Sequence, residues 1–268
     1  MDHLRRDRAP VTDAAWAAIE DEAKRTLHHV LAPRAVVDVE GPHGWQHSAH
    51  SVGRVSALRT APRDGVEAGV REVLPLVELR TGFELSLNEL DTIDRGSKAP
   101  DLDAVREAAN RAGLAEDQAV FHGFAAGGIT GITEAVRHDP VTISDDYTNY
   151  PRHVASATAT LRNAGIGGPY GLALGPQCYT GVVETERGGY PLLEHIRLLV
   201  GGNVVWAPGV DGAVVLSLRG GDFALVVGED FSIGYAGHDG DNVRLFLEES
   251  FTFEVREDGA AVAMVYPS

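Results

Sequence analysis

Three histidines near the N-terminus have the spacing that comes closest to a metal site. His43, His47 and His50 stand four and three positions apart, which on a helix would bring three imidazoles to one face, as a zinc site requires. Gly41-Pro42 and Gly44 disfavour a helix there, and no carboxylate follows at ligand spacing. The sequence therefore favours exposed or hydrogen-bonded histidines and predicts no metal site.

Nucleophilic chemistry has little support in the sequence. The serines include no Gly-x-Ser-x-Gly elbow, so a serine-hydrolase interpretation has no anchor. Cys178 is the single cysteine and has no activating partner nearby in the sequence, which predicts a buried or inert thiol. One cysteine also excludes an internal disulfide framework and suits a reducing cytoplasm.

Two glycine-rich segments raise the question of nucleotide binding. Gly165–Gly171 departs from the G-x-G-x-x-G fingerprint and precedes a predicted strand, whereas the fingerprint follows one. Gly127–Gly131 lacks phosphate-loop spacing, and no Lys-Ser or Lys-Thr follows it. We therefore expect no bound cofactor.

Net charge and hydropathy exclude two classes of partner. The chain has 39 acidic and 23 basic residues, a formal charge of −16, which disfavours binding to nucleic acid or anionic lipid. No apolar run approaches the roughly 18 to 20 residues that span a bilayer. The basic start, residues 1–8, is not followed by the apolar block of a signal peptide. These features predict a cytoplasmic protein with no membrane and no nucleic-acid partner.

The first predicted element is an amphipathic helix that Thr12 caps. Trp16, Ile19, Ala23 and Leu27 recur at helical spacing and define one apolar face. From residue 51 to residue 80 the pattern changes to short extended runs with a turn at residues 62–65, where Pro and Gly occur. These runs predict a two-stranded arm, which needs a partner because an isolated hairpin is marginal in water.

The rest of the chain mixes helix and strand signals. A helix is predicted from Asp101 to about His122, and the glycine-rich residues 123–131 after it predict a crossing between subdomains. Residues 140–221 alternate helices with a strand at Tyr170–Leu174, and a polar loop at residues 184–191 separates two of the helices. Alternating runs at 213–218 and 223–227 predict a hairpin. Further strands at 243–247 and 251–255 predict a closing sheet that packs on the 101–122 helix.

Five short strings occur in fixed order along the chain: Val37–Trp45, Glu89–Gly96, Arg219–Phe223, Gly228–Tyr235 and Glu249–Phe253. Their combination resembles the encapsulins, bacterial nanocompartment shell proteins once labelled linocin-type bacteriocins. The resemblance covers roughly residues 1 to 255 and implies a shell protein that self-assembles and is not an enzyme.

The resemblance also implies a fold and a division of the chain. The fold is α+β, a protomer like that of the HK97 phage capsid, with a P-domain, an A-domain and an extended E-loop. The expected parts are residues 1–50 (N-terminal helix and start of the P-domain), 51–80 (E-loop arm), 81–135 (P-domain with its spine helix), 136–222 (A-domain with a five-fold pore loop) and 223–268 (returning P-domain strands).

Two sites follow from the resemblance. The polar loop is expected to line a five-fold pore with Glu184, Thr185, Glu186, Arg187, Gly188 and Gly189. A groove for a cargo peptide is expected on the inner wall, with candidate residues Trp16, Ile19, Arg34, Asp38, Phe231 and Ile233.

The implied partners are other copies of the chain, in a shell of about sixty, and a cargo enzyme with a short targeting peptide. Family cargoes are dye-decolourising peroxidases and ferritin-like iron oxidases, and the sequence does not choose between them. Some encapsulins bind flavin on a tryptophan, but Asn88 stands at that position, which disfavours this mode. A phage capsid protein of the same fold is the alternative, and a cytosolic hydrolase or peptidase-like bacteriocin is a more distant one.

Overall fold

The computed structural model describes residues 3–187 and 189–267. None of the helices in these ranges is long and apolar enough to cross a membrane. The helices are α1 (Asp13–Val30), α2 (Leu87–Asp94), α3 (Asp103–His122), α4 (Ile132–Ala135), α5 (Tyr150–Asn163), α6 (Pro176–Glu184) and α7 (Leu192–Val200). The strands are β1 (Asp38–Glu40), β2 (Ala49–Ala57), β3 (Gly69–Pro75), β4 (Val77–Ser86), β5 (Val141–Thr142), β6 (Tyr170–Leu174), β7 (Glu186–Arg187), β8 (Tyr190–Pro191), β9 (Gly201–Trp206), β10 (Ala213–Ser217), β11 (Phe223–Val227), β12 (Ser232–His238), β13 (Asn242–Val255) and β14 (Ala261–Val265).

The first sheet is built around β13. Its strand order is β1-β11-β13-β12, and β4 also pairs with β13. The two closing strands predicted from the sequence form this one continuous strand, whose pairing with β4 runs from Asn242 to Phe251. Val243, Leu245 and Leu247 point to one face, where they pack against α3 and α1. The packing of the closing sheet on the 101–122 helix, predicted from the sequence, is confirmed for α3.

The N-terminal helix α1 forms as predicted. The Thr12 side chain accepts a hydrogen bond from the backbone N–H of Ala15, which satisfies one of the free donors at the helix start. All four residues of the predicted apolar stripe are buried, and they share one core with α3. Gly113 on α3 lies directly against Val30, where a Cβ atom would clash, so the two helices approach closely.

The second sheet has the order β5-β14-β10-β6-β9. Every residue of β6 and β10 is buried, as is typical of strands covered on both faces. Helices α5 and α7 contribute Val154, Leu161 and Ile196 to the core beside this sheet. The predicted α/β character of residues 140–221 is confirmed. Residues 123–131 lead from α3 to α4, which precedes β5 of this sheet.

The predicted hairpin between residues 213–218 and 223–227 is wrong. Strand β10 pairs with β14 and β6, whereas β11 pairs with β13 and β1, so the two strands belong to different sheets. Residues 219–222 carry the chain from one sheet to the other. The last strand, β14, lies in the second sheet between β5 and β10.

The arm predicted between residues 51 and 80 forms as the antiparallel pair β2 and β3, but it ends at Pro75, because residues 77–80 pair with β13 as part of β4 in the first sheet. Its register runs from Ala49 opposite Pro75 to Ala57 opposite Gly69. The two strands form a separate two-stranded sheet. Several apolar side chains along the arm are exposed: Val55, Leu58, Val66, Val70 and Val73.

Candidate functional site

A groove of about 550 Å³ lies between α1 and the segment that leads into β12. Leu27 and Leu31 come from the C-terminal end of α1, and Ile233 and Leu247 come from the first sheet. Helical spacing places the two leucines on the same side of α1, because residues four apart lie one above the other. The floor of the groove is therefore apolar.

Charged side chains surround this floor. Arg6 donates from Nε to the backbone oxygen of Ile233 at 2.6 Å and forms an ion pair with Glu20. Lys24 and His28 line the same groove from α1. Leucine anchors at the floor and polar groups at the rim suit a short peptide that is mainly apolar.

Arg34 forms the opposite wall and is tied to residues on three separate elements. Its Nη1 donates to Asp230 Oδ1 at 2.8 Å, and its guanidinium lies 5.2 Å from the centre of the Phe231 ring. Its Nη2 donates to Glu116 on α3 at 2.6 Å and to Glu249 on β13 at 3.2 Å. The arginine therefore joins the groove wall to two carboxyl groups in the interior.

The interior carboxyl groups are removed from solvent. Glu116 and Asp117 have 0% exposure and Glu249 has 1%. Burial raises the pKa of Glu249 well above its usual range, and the nearby charge of Glu116 raises it further. Burial likewise raises the pKa of Asp117 to about 7, although the backbone N–H of Gly209 donates to its carboxylate. Burial would lower the pKa of Arg34, but the hydrogen bond and charge of Glu116 outweigh it and raise that pKa.

The six candidate groove residues do not all lie together. Arg34, Phe231 and Ile233 line the groove. Ile19 has 0% exposure in the core under α1, and Trp16 lies on another surface of α1 with the Arg6 guanidinium 4.6 Å from its ring centre. Asp38 lies at a separate small cavity, where its carboxylate accepts from the Gly221 backbone.

The polar loop expected to line a pore forms the short hairpin β7–β8 between α6 and α7. Glu184 and Glu186 are exposed, and the hydroxyl of Thr185 donates to the backbone oxygen of Gly181 at 2.6 Å. Gly189 has a φ of 79°, a left-handed conformation that favours glycine. Gly188 lies outside the described residues, and for Arg187 only the backbone is described.

The residues with possible metal or thiol chemistry do not line the groove. His43 and His47 have ring centres 4.7 Å apart, whereas His50 contacts Glu254 at 3.3 Å. Within residues 3–187 and 189–267, no three His, Cys, Asp or Glu side chains are grouped to hold a metal. Cys178 is buried as predicted, and burial raises the pKa of its thiol, which disfavours the reactive thiolate.

Sequence reasoning missed the buried acids behind Arg34. A signal for them exists, because Glu116 and Glu249 fall at positions where the periodicity of α3 and β13 points inward. Leu247, Glu249 and Phe251 alternate along one face of the strand, and Glu116 follows Ala112 by four residues on the helix. A charged residue inside an apolar stripe indicates a buried ion pair.

Comparison with known proteins finds relatives that match nearly the whole chain. The family model described as "Encapsulating protein for peroxidase" matches residues 1–252. A type 1 encapsulin shell protein of Rhodospirillum rubrum is 49% identical and covers 98% of this chain and 96% of its own length. The type 1 encapsulin shell protein of Mycobacterium tuberculosis is 47% identical and covers 98% of this chain and 99% of its own.

Solved structures show the same fold at low identity. A virus-like particle from Pyrococcus furiosus has a TM-score of 0.65 at 17% identity and covers 92% of this chain and 98% of its own. The Mycobacterium phage Bobi structure has a TM-score of 0.57 at 13% identity, with coverages of 89% and 91%. The α+β fold like that of phage capsids is confirmed. Fold and full-length sequence similarity together place the chain in the family of type 1 encapsulin shell proteins.

Proposed function

We propose that the chain forms a closed icosahedral shell of roughly sixty copies and captures a cargo enzyme by a short targeting peptide. The observation that carries the proposal is the arm, β2 and β3. Val55 is 64% exposed, Val70 is 53% exposed and Val73 is 50% exposed, although valine favours burial in a strand. A two-stranded sheet with exposed apolar side chains is marginal alone, so a neighbouring copy is its natural partner.

The surface area of the protomer supports the same conclusion. The protomer has a solvent-accessible surface of 13751 Å², whereas a compact monomer of its mass is expected to have about 11,000 Å². The excess indicates an extended subunit whose surface is covered on assembly.

The groove beside α1 is the proposed site for the targeting peptide. Its volume of about 550 Å³ accommodates a few side chains, and its floor of Leu27, Leu31 and Ile233 favours apolar anchors. Arg34 and Asp230 provide donors and acceptors at the wall for the peptide backbone. In a closed shell this groove would face the interior, where the cargo is held.

The hairpin β7–β8 is the proposed lining of a five-fold pore. Five copies of Glu184 and Glu186 would form rings of carboxylates, which favour cations in the way that acidic rings do in channels. The exposure of both side chains supports this proposal. We further propose that the shell forms in the cytoplasm and that its cargo is a dye-decolourising peroxidase or a ferritin-like iron oxidase; the family description names a peroxidase.

The direct test is the molar mass of the purified chain by size-exclusion chromatography with light scattering. Roughly sixty chains of 28.5 kDa would give a particle of about 1.7 MDa, and negative-stain imaging would show it hollow. A discrete monomer or dimer would contradict the proposal. Absorbance of the particle peak distinguishes a protein compartment from a phage capsid, since packaged DNA would dominate the signal.

A further inference from the structure

Arg34 belongs both to the groove wall and to the interior behind it. Its Nη1 donates to Asp230, which lines the groove, whereas its Nε and Nη2 donate to Glu116 and Glu249. One guanidinium is therefore shared by three carboxyl groups. The net attraction of the guanidinium toward the groove or toward the interior depends on how many of the three carboxyl groups are ionised.

Glu249 is the carboxyl group whose surroundings most favour a bound proton. It has 1% exposure, and no donor among the described residues reaches its Oε1. Its Oε2 accepts from Arg34 Nη2 at 3.2 Å, and Glu116 Oε2 accepts from the same nitrogen at 2.6 Å. Two buried carboxylates beside one guanidinium repel each other, which favours a proton on one of them. Glu249, with its unsatisfied oxygen, can thus hold a proton in the interior.

The other charges around this pair come from every neighbouring element. One is a third buried acid, Asp117, whose Oδ1 has no hydrogen-bond partner among the described residues. Glu248, the neighbour of Glu249 on β13, points to the opposite face of the sheet and pairs with Arg80. The described charged groups that face the pair or the groove are Arg6 from the segment before α1, Arg34 from the segment after α1, Glu116 and Asp117 from α3, Asp230 from the loop before β12, and Glu20, Lys24 and His28 from α1.

We propose that a proton held on Glu249, next to Glu116, couples the affinity of the groove for its peptide to pH. When the proton leaves to solvent, the interior gains one negative charge, which draws Arg34 inward and repels Asp230. A bound peptide displaces the water that screens this charge, so it binds best while the proton is present. By linkage, peptide binding takes up a proton, and the affinity falls as the pH rises.

This inference rests on the proposed peptide site, and the test is designed to separate the two. The probe is an eight-residue peptide of leucine, glycine and serine with blocked termini and a pH-insensitive fluorophore. It has no ionisable group, so any pH dependence of its binding comes from the shell protein. The peptide is mixed with shells of the full-length chain, and its fluorescence anisotropy is recorded once binding has reached equilibrium. The titration is repeated at several pH values between about pH 6 and about pH 9.

For the wild-type protein we expect the affinity to fall by about tenfold across this range, the change that one linked proton can give over one pH unit. Glu249→Gln should bind the peptide with no pH dependence, because its amide imitates the protonated carboxyl group. Glu107→Gln should keep the wild-type dependence, because it removes an exposed carboxyl group of α3 that lies outside the groove. Wild-type binding that does not change with pH, or dependence that is lost in Glu107→Gln and kept in Glu249→Gln, would overturn the proposal.

Failure of the peptide to bind at any pH would overturn both this proposal and the groove assignment, whereas pH-independent binding overturns this proposal alone. Infrared spectroscopy gives a second readout that does not depend on the peptide. The C=O stretch of protonated carboxyl groups should be stronger at neutral pH in wild-type shells than in Glu249→Gln, where the Asp117 carboxyl group, with its pKa raised to about 7, still contributes. Equal bands in the two proteins would contradict the proton on Glu249.

Discussion

The arm and the groove both expose apolar side chains, but they differ in what lies behind them. Within the described residues no core lies behind the exposed valines of the arm, because β2 and β3 form a sheet of their own. Behind the groove lies the first sheet, with Arg34 joined to Glu116 and Glu249. We therefore expect the arm to require another copy for its stability, whereas the groove is already formed in a single chain.

The substitution Val70→Glu is expected to have the largest effect on this comparison. It would place an unpaired charge where we propose that a neighbouring copy covers the arm, and such a burial is strongly unfavourable. The mass measured by light scattering should fall from about 1.7 MDa to that of one or a few chains. Val70→Thr, which has nearly the same shape and no charge, is the control and should still assemble. Intact particles of Val70→Glu would show that the arm is not an essential contact.

The groove wall gives the next largest effect, on folding rather than on assembly. Arg34→Met should destabilise the chain by about 3–5 kcal/mol, because it leaves buried carboxylates without their cation. Urea unfolding of the dispersed Val70→Glu chain, with and without this substitution, measures the loss. Arg34→Lys should lose less, since it keeps the charge but not the planar set of donors. If Val70→Glu alone and its combinations with Arg34→Met and Arg34→Lys unfolded at the same urea concentration, the ion pairs of Arg34 would not stabilise the fold.

The raised pKa of the buried Asp117 carboxyl group predicts that the stability of the chain depends on pH. Its pKa is raised from 3.8 to about 7 in the folded chain, so the folded state binds a proton more tightly than the unfolded state. The resulting stabilisation is fully present below about pH 4 and is lost as the pH rises to about 7. Asp117→Asn should remove a pH-dependent term of at most about 4 kcal/mol. Urea unfolding at several pH values measures it, and identical pH profiles for the two chains would contradict the shift.

Several elements of the fold follow from local sequence. The stripe of Trp16, Ile19, Ala23 and Leu27 and the Thr12 cap predict α1 correctly, because both signals act within one helix. Tyr170–Leu174 is predicted with its exact bounds. Helix α2 was not predicted, although Ser86 followed by Glu89 is a capping signature, and the Ser86 hydroxyl accepts from the Glu89 backbone at 3.1 Å.

Long-range pairing explains what local sequence could not predict. The glycine-rich turn at residues 219–222 has the composition of a hairpin turn, but β10 and β11 pair with strands that are distant in the chain. The groove shows the same limit. Arg34 meets Glu116 and Glu249 across 82 and 215 residues, and only the fold brings them together. The resemblance identified Arg34, Phe231 and Ile233 as candidates without their partners.

Phe231→Ala should sharpen the distinction between groove and arm. The change removes an aromatic ring from the groove and a contact with the Arg34 guanidinium, which should weaken binding of the leucine-containing peptide by about tenfold. Particle mass should not change, because the substitution does not touch the arm. Phe231→Leu keeps an apolar side chain and should bind with intermediate affinity. If Phe231→Ala shells bound the peptide as the wild type does, the groove would not be the peptide site.

The pore loop gives the smallest expected effect. Glu186→Gln should slow the entry of divalent cations by about twofold at low salt, and the difference should vanish at high ionic strength because the charge is exposed. Stopped-flow quenching of a dye enclosed in the shell measures the rate. The control is Glu107→Gln, which removes an exposed charge on α3 and should leave the rate unchanged. An equal effect of both substitutions would indicate the general surface charge and not a pore.

Electron cryomicroscopy of the assembled wild-type particle tests the central claim most directly. The account predicts a hollow icosahedral particle in which β2 and β3 of each subunit lie on a neighbouring subunit and cover Val55, Val70 and Val73. It also predicts that the groove beside α1 faces the interior. An arm folded back on its own subunit, or a groove buried between subunits, would contradict the account.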